Sequence, residues 1–90
     1  FTTNKLGIFG IQAISKMKKR IPEDIAVISF DDTDAYAVAK TSITAIKQPI
    51  EQMCKEAVRI LMKSIQTEGK KINPERIILD VSFVVRESCP

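Results

Sequence analysis

Histidine is absent from these 90 residues. Without an imidazole, neither a Ser-His-Asp nor a Cys-His nucleophilic arrangement can form within the chain, and the common zinc sites lose their usual nitrogen ligand. Cysteine is nearly absent too: Cys54 and Cys89 are too few and too far apart for a disulfide framework or a metal cluster. Both read as ordinary thiols, Cys54 on the apolar stripe of an expected helix. No apolar run approaches the roughly 18 residues that cross a bilayer. The first residues also lack the charged, apolar and small-residue order of a signal peptide. The expectation is a cytoplasmic chain with no membrane contact. With three glycines and four prolines, neither disorder nor a fibrous repeat is suggested.

What is present is an ordinary globular composition, 44% hydrophobic and 28% charged. A chain of this length is one domain or a piece of one, and typically buries roughly 60% of the surface its unfolded form exposes. The net charge of +3 is mild, and the basic cluster "KMKKR" at 16 to 20 reads as a solvated helix end.

Along the chain, Leu6, Ile8, Phe9, Ile11, Ala13, Ile14 and Met17 occupy nearly the whole circumference of a helix from Asn4 to about Lys18, which predicts burial on two sides. Thr3 or Asn4 is the candidate N-cap. "DIAVISF" reads as a buried strand of a parallel sheet, and "SITAI" at 42 to 46 as a second. Pro49 opens a long helix to residue 66 in which Ile50, Met53, Cys54, Ala57, Val58, Leu61 and Ile65 repeat at three and four, so this helix is expected to cover a sheet. "EGKKINPE" at 68 to 75 is turn material, and "RIILD" and "SFVVR" are two further strand candidates. The order is an α/β pattern whose first helix has no preceding strand. Residues 1 to 3 therefore read as the end of a strand whose body lies upstream, in a longer protein.

In "DIAVISFDDTDAY", Asp31, Asp32 and Asp34 follow the first strand, at the sheet edge where ligands of open parallel sheets bind. They are alternatively turn formers that cap a short helix. A magnesium phosphotransfer site built on Asp32 and Asp34 would need a lysine and a second acidic pair that find no convincing counterpart. A calcium loop would need alternating ligands and a glycine that are missing. A carboxylate accepting hydrogen bonds from a polyhydroxylated molecule needs one ionised Asp, and Asp31 is the natural candidate.

"RIPEDIAVISFDDT", then "SITAIKQPIEQMCKEAVRILMKSI", closing on "VVRES", resembles the carboxyl-terminal part of the LacI/GalR family of bacterial transcription regulators, and "FTTNKLGIFGIQAI" is similar to that family's "NDxxAxGAxxAL". The resemblance covers essentially the whole chain. It implies a fragment of a two-lobed, periplasmic-binding-protein-like α/β fold with parallel sheets flanked by helices. Residues 1–45 and 83–90 would belong to the second lobe and 46–82 to the first, with "TAIKQP" crossing between them and a DNA-binding headpiece lying outside this chain.

The same resemblance puts Asp31 on the family's cleft aspartate, Thr3 and Asn4 on the Asn-Asp pair of a neighbouring strand end, and Gln48 on a crossover glutamine. It also places Ile8, Phe9, Gln12, Val38 and Ala39 near a dimer surface. Asn4 stands where Asp is common, Ser29 where Gly precedes the aromatic, and Lys18 where a helix-ending Gly is frequent. The implied function is sensing a sugar or similar metabolite as a homodimer that reads DNA, with no catalysis, cofactor or metal. A solute-binding protein of a sugar transporter and a magnesium-dependent phosphotransferase are the rival readings.

Overall fold

The computed structural model describes residues 1–67, 69 and 73–90. The chain divides into two compact units, one made of Phe1–Gln48 with Val81–Pro90 and the other of Pro49–Asp80. No described helix is long and apolar enough to cross a membrane.

In the first unit, α1 (Asn4–Lys16) is followed by β1 (Ile28–Phe30), the short α2 (Asp34–Ala37) and β2 (Thr44–Lys47), and β3 (Ser82–Val84) returns after the second unit. Thr3 sits in extended backbone as the N-cap of α1, its Oγ1 accepting from the Leu6 N–H at 3.2 Å. At the other end the Lys19 N–H donates to the Ile14 carbonyl at 3.2 Å and the Lys18 N–H to the Ser15 carbonyl at 3.0 Å. These are the two bonds of a Schellman close, and Lys18 takes its left-handed position with φ 56°. A side chain therefore stands where the backbone favours glycine.

The sheet runs β1, β2, β3. β1 and β2 are parallel, with Ser29 opposite Ala45, whereas β2 and β3 are antiparallel, with Ala45 opposite Val84. The sheet is thus mixed where only parallel strands were expected. Phe1 flanks the other side of β1: its backbone nitrogen donates to the Ile28 carbonyl and its own carbonyl accepts from the Phe30 N–H, both at 2.8 Å. One residue bracketing its neighbour in this way is parallel pairing.

β1 is shorter than the run "DIAVISF" because its first residues bond elsewhere. The N–H groups of Asp24 and Ile25 close a turn onto the Arg20 carbonyl, and the Val27 N–H goes to Ser88 at 3.0 Å. Ladder pairing begins only at Ile28.

The core joins Ile14, Val27, Tyr36, Ile43 and Ala45, with Ile11, Ile21, Ile25 and Ala39 packed around it. Helix α1 contributes Gly7, Ile11 and Ile14, spaced four and three apart, so one face meets the core. Burial on two sides is not what the structure shows: Leu6, Ile8, Phe9 and Met17 are exposed. Gly7 is fixed by close approach, since a Cβ there would stand 2.0 Å from the Tyr36 hydroxyl.

The second unit holds α3 (Ile50–Gln66), whose Arg59 and Lys63 grip the Glu75 carboxylate at 2.8 and 2.9 Å. This pairing holds Glu75 at a pKa of about 2. No residue of α3 is buried, so among the described residues α3 covers no sheet. "RIILD" is likewise not a strand: residues 76 to 80 find no ladder partner among the described residues, and a strand exists only by pairing. Half of the expected turn at 68 to 75 lies outside the described residues.

Two substitutions probe this packing. Gly7→Ala should destabilise the protein by about 1 to 3 kcal/mol through overpacking against the Tyr36 ring, and Tyr36→Phe should recover part of that loss in a denaturant double-mutant cycle. Lys18→Gly should stabilise it by about 0.5 kcal/mol, because relief of left-handed strain exceeds the added unfolded-state entropy; an unchanged or lower melting temperature would contradict this.

Candidate functional site

Three parallel chain segments end at one edge of the sheet: the Phe1 segment, β1 and β2. The residues that follow them are Thr3 and Asn4, Asp31, and Gln48. In open α/β sheets the carboxyl edge of parallel strands is where ligands bind. The structure therefore brings all four expected effector residues to one edge.

Asp31 leaves β1 with φ 70°, a left-handed conformation that Asp tolerates better than most residues. It is partly buried, and its Oδ1 accepts from the Gln48 Nε2. That link ties the ends of β1 and β2 together. Asn4 opens α1, and its Oδ1 is buried with no donor among the described residues. Such an atom is costly unless something donates to it. Thr3 is exposed, its oxygen engaged as the N-cap.

The three acids separate sharply in role. Asp32 forms a two-pronged ion pair with Arg86, Nη1 to Oδ1 at 2.7 Å and Nη2 to Oδ2 at 2.9 Å, while the same Nη1 donates to the Ile43 carbonyl at 2.7 Å. The side chains are only 14% and 18% exposed, so this is a largely desolvated, bidentate contact. The hydrogen bond from Arg86 holds the Asp32 carboxyl below its ordinary value, and the guanidinium is held more basic in turn. Asp34 lies exposed in the first turn of α2, whose N-cap position is Thr33.

Two sequence readings are corrected here. Asp32 caps no helix; it is the counter-charge of Arg86. It is not free to share a magnesium ion with Asp34 either, because both of its oxygens are engaged. Among the described residues Asp31 has no cationic partner and faces a neutral amide instead, which leaves its charge available to a ligand.

Arg86, Ser29 and Tyr36 were not singled out as functional by sequence reasoning. Ser29 is fully buried with its Oγ 2.9 Å from the Tyr36 hydroxyl. Its standing where glycine is usual was the signal available. Arg86 had a fainter one, a lone cation closing an apolar strand in "VVRES".

The expected dimer residues fall into two groups. Ile8, Phe9 and Gln12 are exposed on α1, and Val38, 83% exposed, follows α2. Ala39 packs against the core instead.

Polar side chains gathered at the carboxyl edge of an α/β unit form a candidate site of the kind at which open α/β sheets take their ligands. Comparison with known proteins makes this specific. Residues 2–89 match the periplasmic binding protein-like domain. The HTH-type transcriptional regulator CelR of Thermobifida fusca is 32% identical over 83 residues, which are 92% of this chain and 24% of that protein. A solved transcriptional regulator CelR-cellobiose complex superposes with a TM-score of 0.86 at 31% identity, covering 97% of this chain and 26% of the other. A LacI family transcriptional regulator from Enterococcus faecium with bound ribose superposes with a TM-score of 0.79 at 28% identity, covering 98% and 32%. The chain belongs to the periplasmic binding protein-like family, as a segment of an effector-binding domain of LacI/GalR type. It spans 24% of the length of the CelR relative.

Removing one partner of the Asp32 pair should be costly. Arg86→Met should destabilise the protein by about 3 kcal/mol, because it strands a desolvated carboxylate. The pair also predicts a pH dependence. The folded-state pKa of Asp32 is depressed, so its contribution is fully present above the unfolded carboxylate range near about pH 4 and is lost as the pH falls through the folded value. Acid titration of the melting temperature should show a step on the acidic side that Arg86→Met flattens.

Proposed function

We propose that this chain is the effector-sensing and dimerising part of a bacterial DNA-binding transcription regulator, and that its effector is a sugar. The observation that carries the reading is Asp31: a carboxyl side chain at the carboxyl end of β1, tied to Gln48 and without a cation among the described residues. A carboxylate accepts two or more hydroxyl hydrogen bonds without metal, which is how a polyhydroxylated ligand is held. The unpartnered Asn4 oxygen at the same edge supplies a second acceptor, and Thr3 and Gln48 complete the polar set. The cellobiose and ribose held by two relatives support a sugar over other metabolites.

In this reading the unit of Phe1–Gln48 and Val81–Pro90 belongs to one lobe and Pro49–Asp80 to the other, which moves the crossings from the expected 45/46 and 82/83 to 48/49 and 80/81. The exposed Ile8, Phe9, Gln12 and Val38 belong to the homodimer surface, with Ala39, packed against the core, at its margin. DNA is read by a headpiece outside these residues, in the cytoplasm, and the chain performs no catalysis. Effector binding acts by favouring one lobe arrangement over another, through its differential affinity for the two.

A thermal-shift screen of the whole regulator against mono- and disaccharides tests the ligand class. Asp31→Asn should weaken the responding sugar about 10- to 100-fold, the usual worth of hydrogen bonds to a charged group, while the protein remains dimeric. Calorimetry showing unchanged affinity in Asp31→Asn would remove the basis of the reading.

A further inference from the structure

Tyr36 is 1% exposed and lies on α2, the short helix that follows Asp31. Its hydroxyl donates to the Asn4 carbonyl at 3.2 Å and lies 2.9 Å from the Ser29 Oγ, while its backbone carbonyl accepts from the Ile43 N–H at 3.0 Å. One residue thus touches the first turn of α1, the strand position two before Asp31, and the chain entering β2. The fit is tight on the α1 side, where a Cβ on Gly7 would overlap the hydroxyl. The first turn of α1 therefore cannot move inward without striking the ring, nor outward without breaking the bond to Asn4.

Volume alone does not account for this residue. A phenylalanine would fill nearly the same space without a polar atom to desolvate, and burying a hydroxyl is unfavourable unless it is bonded. Here it is bonded to two segments that carry edge residues. One of these begins at Asn4, whose own side-chain oxygen has no donor among the described residues.

We propose that Tyr36 is a positioning residue of the effector edge, its hydroxyl fixing where Thr3 and Asn4 stand relative to Asp31 and thereby setting effector affinity. The proposal rests on the reading that this edge binds a sugar. It goes beyond that reading by assigning part of the affinity to a side chain that touches no ligand.

The test titrates the whole regulator by calorimetry with a panel of mono- and disaccharides that includes cellobiose and ribose, in the wild type, Tyr36→Phe and Val27→Ala. Val27 is a core residue away from the edge, so its truncation lowers the melting temperature and serves as the purely structural control. Tyr36→Phe should weaken the bound sugar about fivefold, the effect of one neutral hydrogen bond, while lowering the melting temperature no more than Val27→Ala does. Val27→Ala should lower the melting temperature and leave the affinity unchanged. Equal affinity in wild type and Tyr36→Phe, or an affinity loss in Val27→Ala as large as in Tyr36→Phe, would overturn the proposal and leave the sugar reading intact. A wild type that binds no sugar of the panel would overturn both.

Discussion

The paired guanidinium and carboxylate of Arg86 and Asp32 hold together three stretches that are remote in sequence: the turn after β1, the chain entering β2, and the segment after β3. Around that pair the closing segment is bonded repeatedly. The Ser88 Oγ accepts from the Thr44 N–H at 2.8 Å and donates to the Val27 carbonyl at 2.7 Å, and Glu87 accepts from the Ser42 N–H and hydroxyl, both at 3.0 Å. The backbone bond from Ser42 lowers the pKa of Glu87 and keeps it charged there. An ion pair withdrawn from water gains only if its remaining donors are satisfied, and the Ile43 carbonyl satisfies one of them. The edge that presents Asp31 and Gln48 is in this sense built on the residue next door.

Much of this was legible in the sequence, for definable reasons. Helices α1 and α3 followed from spacing, and their observed bounds lie within two residues of the expected ones at each end. Asp31 and Gln48 could be anticipated because a polar residue that ends an apolar strand must lie at a sheet edge. The partner of Asp32 could not be, since a side-chain pair separated by 54 positions leaves no periodic trace. The left-handed Lys18 did leave a sign, since it stands where a helix-ending glycine is frequent in the family the chain resembles.

The expectations left open share one physical origin. The outer side of α1, the apolar stripe of α3 and the strand candidate "RIILD" all call for a neighbour, yet a residue is buried only where something covers it, and a strand exists only where a neighbour completes its ladder. Pattern reports what a surface requires and not whether this stretch of chain supplies it. The antiparallel β3 escaped prediction because direction is set by how the chain returns, which alternation does not encode. Ser29 shows the opposite case: a departure from a familiar pattern that looked incidental proved to be half of a buried hydroxyl pair with Tyr36.

The unit that carries the site is assembled from two stretches, Phe1–Gln48 and Val81–Pro90, with Pro49–Asp80 set between them in sequence. During synthesis, Val27, Thr44 and Asp32 emerge well before Ser88 and Arg86, the residues that satisfy them. Contacts of such sequence separation form slowly because loop closure must precede them. The nascent unit therefore waits with open backbone groups and an unneutralised aspartate until Arg86 and Ser88 have left the ribosome and reached it. Incompletely paired states of this kind are the ones exposed to aggregation.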